Sequence, residues 1–503
     1  MEKKEKSVKN EKETTELVKV NKKDKENLSK KWLAKTSLTV LLIAIIIAVY
    51  IGINLLVEKI APTDIDLTKD KVYSLSEASK TFTKSIENDV EIMLINMNQS
   101  AKSVVEFAHK YSKENEKIKV KEIDDVSKYP EIANEYNLTD TTTVMIIKSG
   151  NKEKVLTLYD LTTLDYTTGE YKDKTEEAMT NAILDVTVTE KPKIYYLSNH
   201  TKYSSKYITY FIQSLANEAN DVAELDLLTT GKVPDDASVL MITTLAEDMT
   251  VPERDAILNY IGKGGKIIIF SDPNVGKISL PNFQKILDEY GVGISEGIMV
   301  EQDANKMLSG SPSAILVNIN SSSSIMNQTD MNMNACLMNS GKLTFKDEET
   351  LEKLKVEVET IATTNDTAFY RKDLSIESTA KQKNDEEGSQ TVGALLTKTI
   401  DENKTSKLII YSNNMFITNV EISVNTQQYL YALDFHHNKD IALNSIAYLT
   451  GRDDTITIRK DTGSNIYTIT EQQKNIILTI IFSVPALIIV AGIVVWQIRR
   501  RKK

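Results

Sequence analysis

Two long apolar segments near the ends of the chain restrict its fold more than any other feature. Residues 37–57 (SLTVLLIAIIIAVYIGINLLV) and 476–496 (IILTIIFSVPALIIVAGIVVW) carry no charged side chain. A helix of about 20 such residues crosses the hydrocarbon layer of a bilayer. Pro485 is tolerated there, because neighbouring helices can satisfy the carbonyl that it frees. The sequence therefore predicts transmembrane helices at 36–57 and 476–497.

The flanks of these segments predict the orientation. Residues 1–35 contain twelve lysines and seven acidic residues, and RRRKK follows the second segment at 499–503. Basic flanks stay on the cytoplasmic side, so we expect a cytoplasmic arm at 1–35 and a cytoplasmic tail at 498–503. Residues 58–475 are then extracytoplasmic. The first segment lacks a small-x-small cleavage site and is expected to remain as an anchor.

The outer region is strongly acidic. Removing the 17 basic and seven acidic residues of the terminal segments from the chain's 61 and 71 leaves 44 and 64, a net charge of −20. This argues against nucleic acid as a partner, since phosphate binding needs the opposite sign. Cys336 is the single cysteine, so no internal disulfide can form. We expect a protein of the bacterial cell membrane whose outer region relies on an apolar core, with the lipid bilayer as a partner.

Residues 58–188 have an α/β pattern. Strands at 90–96 and 118–123 alternate with helices at 102–114 and 131–136, and a hairpin that turns at 149–151 follows. The order βαβαββ resembles a thioredoxin-like fold. Its redox residues are missing, because no cysteine follows the first strand and Thr142 or Thr143 occupies the place of that family's cis-proline. We interpret this unit as a redox-inactive scaffold or partner-binding surface.

Residues 189–460 form the second predicted unit, before a juxtamembrane linker at 461–475. Short apolar strands bounded by turns alternate with helices, which is typical of a doubly wound parallel sheet. A variable insert is expected at about 300–400.

The glycine-rich stretch NYIGKGGKIIIFSDPN, at 259–274, has to be compared with a phosphate-binding loop. Such a loop needs a strand, then glycines, then the amino end of a helix, so that free N–H groups face the anion. Here a helix comes first, Gly262, Gly264 and Gly265 end it, and a strand follows. No G-x-x-x-x-G-K-[ST] occurs in the chain. The glycines are therefore predicted to be structural, and no cofactor is expected.

Polar residues follow three of the predicted parallel strands. His200 comes after KIYYLSN, Asp272 after KIIIFS, and Asn413 with Asn414 after KLIIYS. Open α/β sheets place ligand sites at the carboxyl ends of their strands, so these four residues are the candidate ligand-binding residues. Side chains that cap the next helix or turn would show the same pattern.

No catalytic residue and no metal ligand is predicted. A cysteine nucleophile needs a tight strand-to-helix turn and a histidine partner, whereas Cys336 lies in a stretch rich in Met and Asn. Soft ligands are what copper(I) selects, but a polar loop leading into a strand explains the same residues better: Met326, Met331, Met333, Cys336 and Met338.

Four stretches together resemble the GldG-like family, the auxiliary subunits of ABC transport systems. They are DLTKDKVYSLSEASK (66–80), EEAMTNAI (176–183), VPDDASVLMITTLAEDMTVPERDAILNYIGKGGKIIIFSDPN (233–274) and NSIAYLTGRDDTITIRK (444–460), the last followed by an apolar segment and a basic tail. One departure is that SNHTK stands where such proteins often have a Gly-His-Gly-Glu-like turn. His200 is retained there without its glycine neighbours.

The resemblance implies a second unit like a glutamine-amidotransferase domain that has lost its nucleophile. It implies a non-catalytic auxiliary subunit whose partners are a permease and a separate ATPase. The alternatives are a membrane-anchored enzyme acting on envelope glycans or peptides, for which Asp235/Asp236 or Asp453/Asp454 could be invoked, and a ligand-binding receptor. Neighbouring residues of a strand face opposite ways, which argues against those acidic pairs.

Overall fold

The computed structural model describes most of the chain between residues 74 and 452. The described residues are 74–97, 101–165, 170–326, 333–376, 378–425 and 428–452, with isolated positions at 478, 492–493, 496–497 and 500–501. They belong to the second of two compact units, Thr68–Lys503.

The predicted transmembrane segments lie outside the described residues, apart from a few positions of the second segment. Among the described helices, none combines the length and the apolar run that a membrane crossing requires. The arm at 1–35 and the linker at 461–475 also lie outside the described residues. These parts of the architecture stay predictions.

The first sheet has four strands and confirms the predicted order βαβαββ. Its elements are α1 (Glu77–Ser85), β1 (Val90–Ile95), α2 (Lys102–Glu114), β2 (Ile118–Ile123), α3 (Pro130–Glu135), β3 (Val144–Ser149) and β4 (Lys152–Thr157). The strand order is β2-β1-β3-β4. β1 is parallel to β2, and β3 is antiparallel to both β1 and β4. The β3–β4 hairpin turns at Gly150, which has the positive φ of +59° that a tight turn requires.

A short hairpin and a helix connect the first sheet to the second. They are β5 (Thr162–Asp165), β6 (Glu170–Asp173) and α4 (Thr175–Thr187). Glu176, buried at the start of α4, accepts hydrogen bonds from the backbone N of Ser76, which caps α1, and from Ser79 Oγ of α1, both at 2.6 Å. Tyr111 of α2 bonds Thr180 Oγ1 at 2.6 Å. Ser76 and Ser79, which lie in one stretch that carries the family resemblance, therefore contact Glu176 of another.

The second sheet has nine strands. The elements from its first strand onward are β7 (Lys193–Leu197), α5 (Thr209–Asn217), β8 (Asp221–Leu225), α6 (Leu227–Thr230), β9 (Ala237–Thr243), α7 (Val251–Gly262), β10 (Lys266–Phe270), α8 (Pro281–Asp288), β11 (Val292–Ile294), β12 (Ile298–Val300), β13 (Ala314–Ile319), β14 (Asn334–Met338), β15 (Leu343–Phe345), α9 (Glu348–Leu354), β16 (Val356–Thr363), β17 (Phe369–Arg371), β18 (Glu386–Glu387), β19 (Thr391–Asp401), β20 (Lys404–Tyr411), β21 (Glu421–Asn425), β22 (Gln428–Tyr431) and α10 (Asn438–Thr450). The strand order of the sheet is β14-β13-β16-β19-β20-β10-β9-β7-β8.

One half of this sheet is parallel and wound on both faces, as predicted. β8, β7, β9, β10 and β20 run in the same direction. Within β10, Ile268 packs into a core shared with α5 and α10, while Ile267 and Ile269 pack into a core shared with α7 and α8. A strand that is buried on both faces has a continuous run of apolar residues. The sequence KIIIF therefore predicts such a strand.

The other half is antiparallel, and the prediction of a doubly wound parallel sheet did not include it. β19 pairs antiparallel with β20, and β16, β13 and β14 continue in alternating directions. These strands come from the segment expected to be a variable insert, about 300–400. Their sequences are only partly apolar, because Glu357 and Val358 of β16 and the end of β19 are exposed. Strand order also depends on pairings that local pattern does not encode.

The glycine-rich stretch is a helix end, as predicted. α7 ends at Gly262, and Gly264 has a φ of +88° before β10 begins at Lys266. Gly265 lies against the ring of Tyr260, where an added Cβ would stand 2.3 Å from the nearest ring atom. The tyrosine hydroxyl in turn donates to two backbone carbonyls. Close packing, not phosphate binding, explains this glycine.

Alanine substitutions at two of these glycines should differ in their effects on stability. We expect Gly265→Ala to lower the free energy of unfolding by about 1–3 kcal/mol, because the partly buried Tyr260 ring, which packs against the core, must move. Gly262→Ala is the matched control, since a Cβ there meets nothing within 4 Å; it should be neutral or stabilise by up to about 1 kcal/mol. Urea unfolding of the full-length chain measures both. Equal effects at the two positions would contradict the packing explanation.

Candidate functional site

The loops that follow the parallel strands meet at one edge of the second sheet. The chain passes from β7 to β8 on one side, and then to β9 on the other, so the strand order reverses between β7 and β9. Ligands of open α/β sheets bind outside the carboxyl ends of the strands at such a point. The candidate residues follow strands that end at this edge, as the sequence predicted: His200, Asp272, Asn413 and Asn414.

At the reversal point, the loop that follows β7 is hydrogen-bonded to the loop that follows β9. His200 O accepts from Ala246 N at 2.7 Å, and Thr244 O accepts from Lys202 N at 2.7 Å. Between these bonds, Thr201 and Leu245 form an isolated antiparallel bridge. Backbone groups that would face a ligand in an open crevice are therefore engaged within the protein.

The side chain of His200 lies between two carboxylates. Its Nε2 is 2.9 Å from Glu253 Oε2, and its Nδ1 is 3.0 Å from Glu247 Oε1. A neutral imidazole donates from one nitrogen only, so this geometry favours the charged form. Burial lowers the pKa of His200, but the hydrogen bonds and charges of Glu247 and Glu253 outweigh it and hold the pKa above its ordinary value.

Glu253 also closes the amino end of α7. Its Oε2 accepts from Thr250 N at 2.8 Å and from Thr250 Oγ1 at 2.7 Å, which completes a capping box. A helix amino terminus is where an anionic ligand would be favoured, and here the protein's own carboxylate takes that place. The spacing Thr-x-x-Glu at 250–253 signals the box, but nothing local signals the contact with His200, 53 residues away.

Asp272 connects its own loop to two other loops at this edge of the sheet, those after β7 and β20. Its Oδ1 accepts from Asn414 N at 2.9 Å, and its Oδ2 accepts from Tyr203 Oη at 2.8 Å, with Lys202 Nζ at 3.4 Å. Burial and the neighbouring carboxylate raise the pKa of Tyr203, so its hydroxyl stays a donor. Sequence reasoning identified Asp272 and missed Tyr203, because an aromatic residue in a polar loop has no distinctive pattern.

The neighbouring residues Asn413 and Asn414 are both fully buried and differ in their partners. Asn413 Nδ2 donates to Met338 O at 2.7 Å, and Asn413 Oδ1 accepts from Phe416 N at 3.0 Å. The Nδ2 and Oδ1 atoms of Asn414 have no hydrogen-bond partner among the described residues. A buried polar group that stays without a partner costs about 1–3 kcal/mol.

The sequence's other reactive groups lie away from this edge. Cys336 is in β14, completely buried, and burial raises the pKa of its thiol to about 12. Asp235 pairs with Lys232 and Lys263, and Asp236 pairs with Lys193, so this acidic pair does not converge on one point. Asp453 and Asp454 lie outside the described residues. Within the described residues, no His, Cys, Asp and Glu side chains form a group of three that could hold a metal ion.

In the first sheet, Asn96 occupies the position after β1 where redox proteins of this topology carry cysteines. Its Nδ2 donates to the carbonyl of Thr142 at 2.9 Å, and its Oδ1 accepts from Val126 N at 3.2 Å. The side chain thus holds neighbouring loops together.

One family model and several solved structures resemble the chain. The model described as an ABC-type uncharacterized transport system, the ABC transporter auxiliary family, matches residues 191–445. No curated protein gives a significant match.

Three solved structures show the level of structural similarity. The mmIFT52 N-terminal domain is 13% identical over 51% of this chain and 97% of its own, with a TM-score of 0.38. A putative ThuA-like protein from Bacteroides uniformis is 12% identical over 56% and 98%, with a TM-score of 0.31. A putative GMP synthase protein from Thermoplasma acidophilum is 10% identical over 52% and 96%, with a TM-score of 0.29. Scores this low do not identify a fold.

Leucine substitutions should separate the two asparagines. We expect Asn413→Leu to lower the free energy of unfolding by about 2–4 kcal/mol, because Met338 O and Phe416 N lose their partner inside the protein. Asn414→Leu, similar in shape, should leave stability unchanged or raise it by about 1–3 kcal/mol, because two unsatisfied polar atoms disappear. Urea unfolding of the full-length variants measures the difference. A large loss of stability in Asn414→Leu would show that its amide has partners.

The contribution of His200 to stability should depend on pH. Because its pKa is raised in the folded state, the contribution is fully present below the unfolded pKa of about 6.5 and is lost as the pH rises through the folded pKa. His200→Asn is a suitable reference, since Asn tolerates the positive φ of +59° at this position. The unfolding free energy of the wild type should exceed that of the variant most at about pH 6 and progressively less above it. A difference that does not change with pH would contradict the charged histidine.

Proposed function

Because this chain belongs to the ABC-type transport system auxiliary family, we propose that it is a non-catalytic subunit that assembles with a permease and a separate ATPase. The family match covers the unit that carries the candidate site. It is the observation on which the proposal rests, and it indicates an auxiliary component of an ABC-type transport system.

The geometry of the carboxyl edge supports a binding role without catalysis. Backbone bonds close the reversal point between β7 and β9, and Glu253 fills the anion position at α7. The thiol of Cys336 is buried and protonated at neutral pH, so it is a poor nucleophile. These features fit a domain whose surface contacts a partner.

The sequence supports a separate ATPase. The chain has no G-x-x-x-x-G-K-[ST], the loop that cradles nucleotide phosphates. Two predicted membrane helices are also few for a transport pathway. The permease is therefore proposed to be another polypeptide.

The proposed location is the bacterial cell membrane, with both termini cytoplasmic and residues 58–475 outside. The apolar segments and their basic flanks support this topology. The four stretches given above support a GldG-like relationship. In this arrangement the outer region contacts the permease, its substrate, or both.

Affinity purification from native membranes tests the proposal. The tagged full-length protein is extracted in a mild detergent, and the proteins that come with it are identified and quantified. We expect a permease and an ABC ATPase in fixed proportion to the tagged chain. A membrane complex of known composition, extracted in parallel, serves as the control. If the control complex stays intact while the tagged protein is recovered alone, the auxiliary-subunit proposal fails.

A further inference from the structure

Two lysines stand side by side at the amino edge of the parallel strands, away from the carboxyl edge. Lys266 begins β10, and its partner in the parallel register is Lys407 of β20. Neighbouring strands lie about 4.8 Å apart, and paired residues point to the same face of a sheet. Both side chains, which are half-buried, therefore leave the sheet together on the face that α10 covers.

The hydroxyl of Tyr448, in α10, lies next to this pair. Lys407 Nζ donates to Tyr448 Oη at 2.7 Å, and the ammonium is 4.2 Å from the centre of the ring. The hydroxyl oxygen accepts this bond, so its own hydrogen can still be donated. Among the described residues, Tyr448 Oη makes no other hydrogen bond. Two ammonium groups and one O–H donor thus meet at this place.

Neither ammonium forms an ion pair with a described carboxylate. This is unusual within the same protein, because other half-buried lysines are paired with an acidic side chain: Lys148, Lys193, Lys342, Lys398 and Lys439. The fold can therefore place a carboxylate beside such a lysine, and it does not do so at Lys266 and Lys407.

The absence of a counter-charge has a measurable consequence at Lys266. Burial and the charge of Lys407 both lower its pKa, and no described carboxylate offsets them. The acidic side chains at this edge have lysines of their own: Asp235 pairs with Lys263, Asp236 with Lys193 and Asp401 with Lys404. Two like charges that are partly withdrawn from water without a counter-ion lower the stability of a fold. A bound anion would remove this cost.

We propose that Lys266, Lys407 and Tyr448 bind a phosphate group. A phosphate offers acceptor oxygens in several directions, so it can meet three donors from different side chains, and lysine binds it as a compact point charge. The glycines before Lys266 still only end a helix, and the lysine that follows them takes part through its side chain.

The phosphate has two possible sources with the same chemistry. One is a soluble phosphate compound. The other is the headgroup of a lipid, since α10 ends at Thr450 and the predicted membrane segment follows at 476–497. The site goes beyond the proposed function and needs no transporter partner.

Competitive acetylation of the full-length protein tests the site. The protein is purified in dodecyl maltoside, a detergent without phosphate, and is treated briefly with acetic anhydride at neutral pH. Only the uncharged amine reacts, so the lowered pKa of Lys266 makes this residue a sensitive reporter. We expect inorganic phosphate to slow its acetylation by about fivefold, because an anion that raises the pKa by ~0.7 units reduces the uncharged fraction by that factor. Mass spectrometry of the digested chain measures the rate.

Lys263 is the internal control in the same experiment. Its side chain is 60% exposed and already pairs with Asp235 at 3.3 Å, so phosphate should leave its rate unchanged relative to sodium chloride of equal ionic strength. If phosphatidylglycerol in the micelles protects Lys266 at a lower concentration than inorganic phosphate does, the source is a lipid headgroup. If only inorganic phosphate protects it, the source is soluble. If neither protects Lys266 more than sodium chloride does, the inference is wrong.

Thermal unfolding of Lys266→Met provides a second readout. Without phosphate, this variant should unfold at the same temperature as the wild type or higher, because an unpaired half-buried charge is gone. Phosphate should raise the midpoint of the wild type and of the control Lys263→Met, but not that of Lys266→Met, since a ligand stabilises only a fold that binds it. A purely structural lysine would lower the midpoint when replaced and leave the phosphate effect intact. An equal phosphate effect in all three proteins would overturn the site.

Both measurements use the purified chain alone, so they are independent of the proposed function. If phosphate protects Lys266 while affinity purification recovers no transporter component, the site stands and the auxiliary role fails. If the permease and ATPase are recovered and Lys266 is not protected, the auxiliary role stands without this site.

Discussion

Burial of the central strands on both faces is the constraint on which the second unit depends. Side chains of β9, β10 and β20 alternate between two cores, one shared with α5 and α10 and the other with α7 and α8. A strand buried in this way must be apolar along its length and must find its hydrogen bonds in neighbouring strands. Helices on both faces then return the chain to the same end of the sheet, which is why polar loop residues collect at the carboxyl edge.

The carboxyl edge satisfies nearly all of its own charges. Glu253 meets both His200 and the amino end of α7, and Asp272 meets Tyr203, Lys202 and a backbone amide. Charged groups that are already paired inside the protein bind a further ion weakly, because an existing partner must first be displaced. A further small ion would have to displace one of these partners.

Two of the stretches that carry the family resemblance are hydrogen-bonded to each other where the chain connects the two sheets. Glu176 at the start of α4 accepts from Ser76 and Ser79 of α1, so two stretches about 100 residues apart meet at one buried carboxylate. Burying a carboxylate without hydrogen-bond donors would lower the stability of the protein, because an unpaired charge is costly to remove from water. The residue types at both stretches are thus constrained together.

Local pattern was enough to predict much of this fold. The sequence predicted the order βαβαββ, the parallel strands and the helix end at Gly262–Gly265. It also predicted that His200, Asp272, Asn413 and Asn414 follow strands. Each of these features depends on residues that are close in the sequence. Composition and the apolar segments further predict the membrane topology, which lies outside the described residues.

Tertiary structure alone decided the rest. The antiparallel half of the second sheet depends on which distant strands pair, and the charge state of His200 depends on a glutamate 53 residues away. Asn413 and Asn414 are the same residue type in adjacent positions, yet one is bonded to Met338, 75 residues away in sequence, and the other has no partner among the described residues. Hydrogen-bond partners are set by the packing of remote segments, so no local sequence pattern could have distinguished these two asparagines.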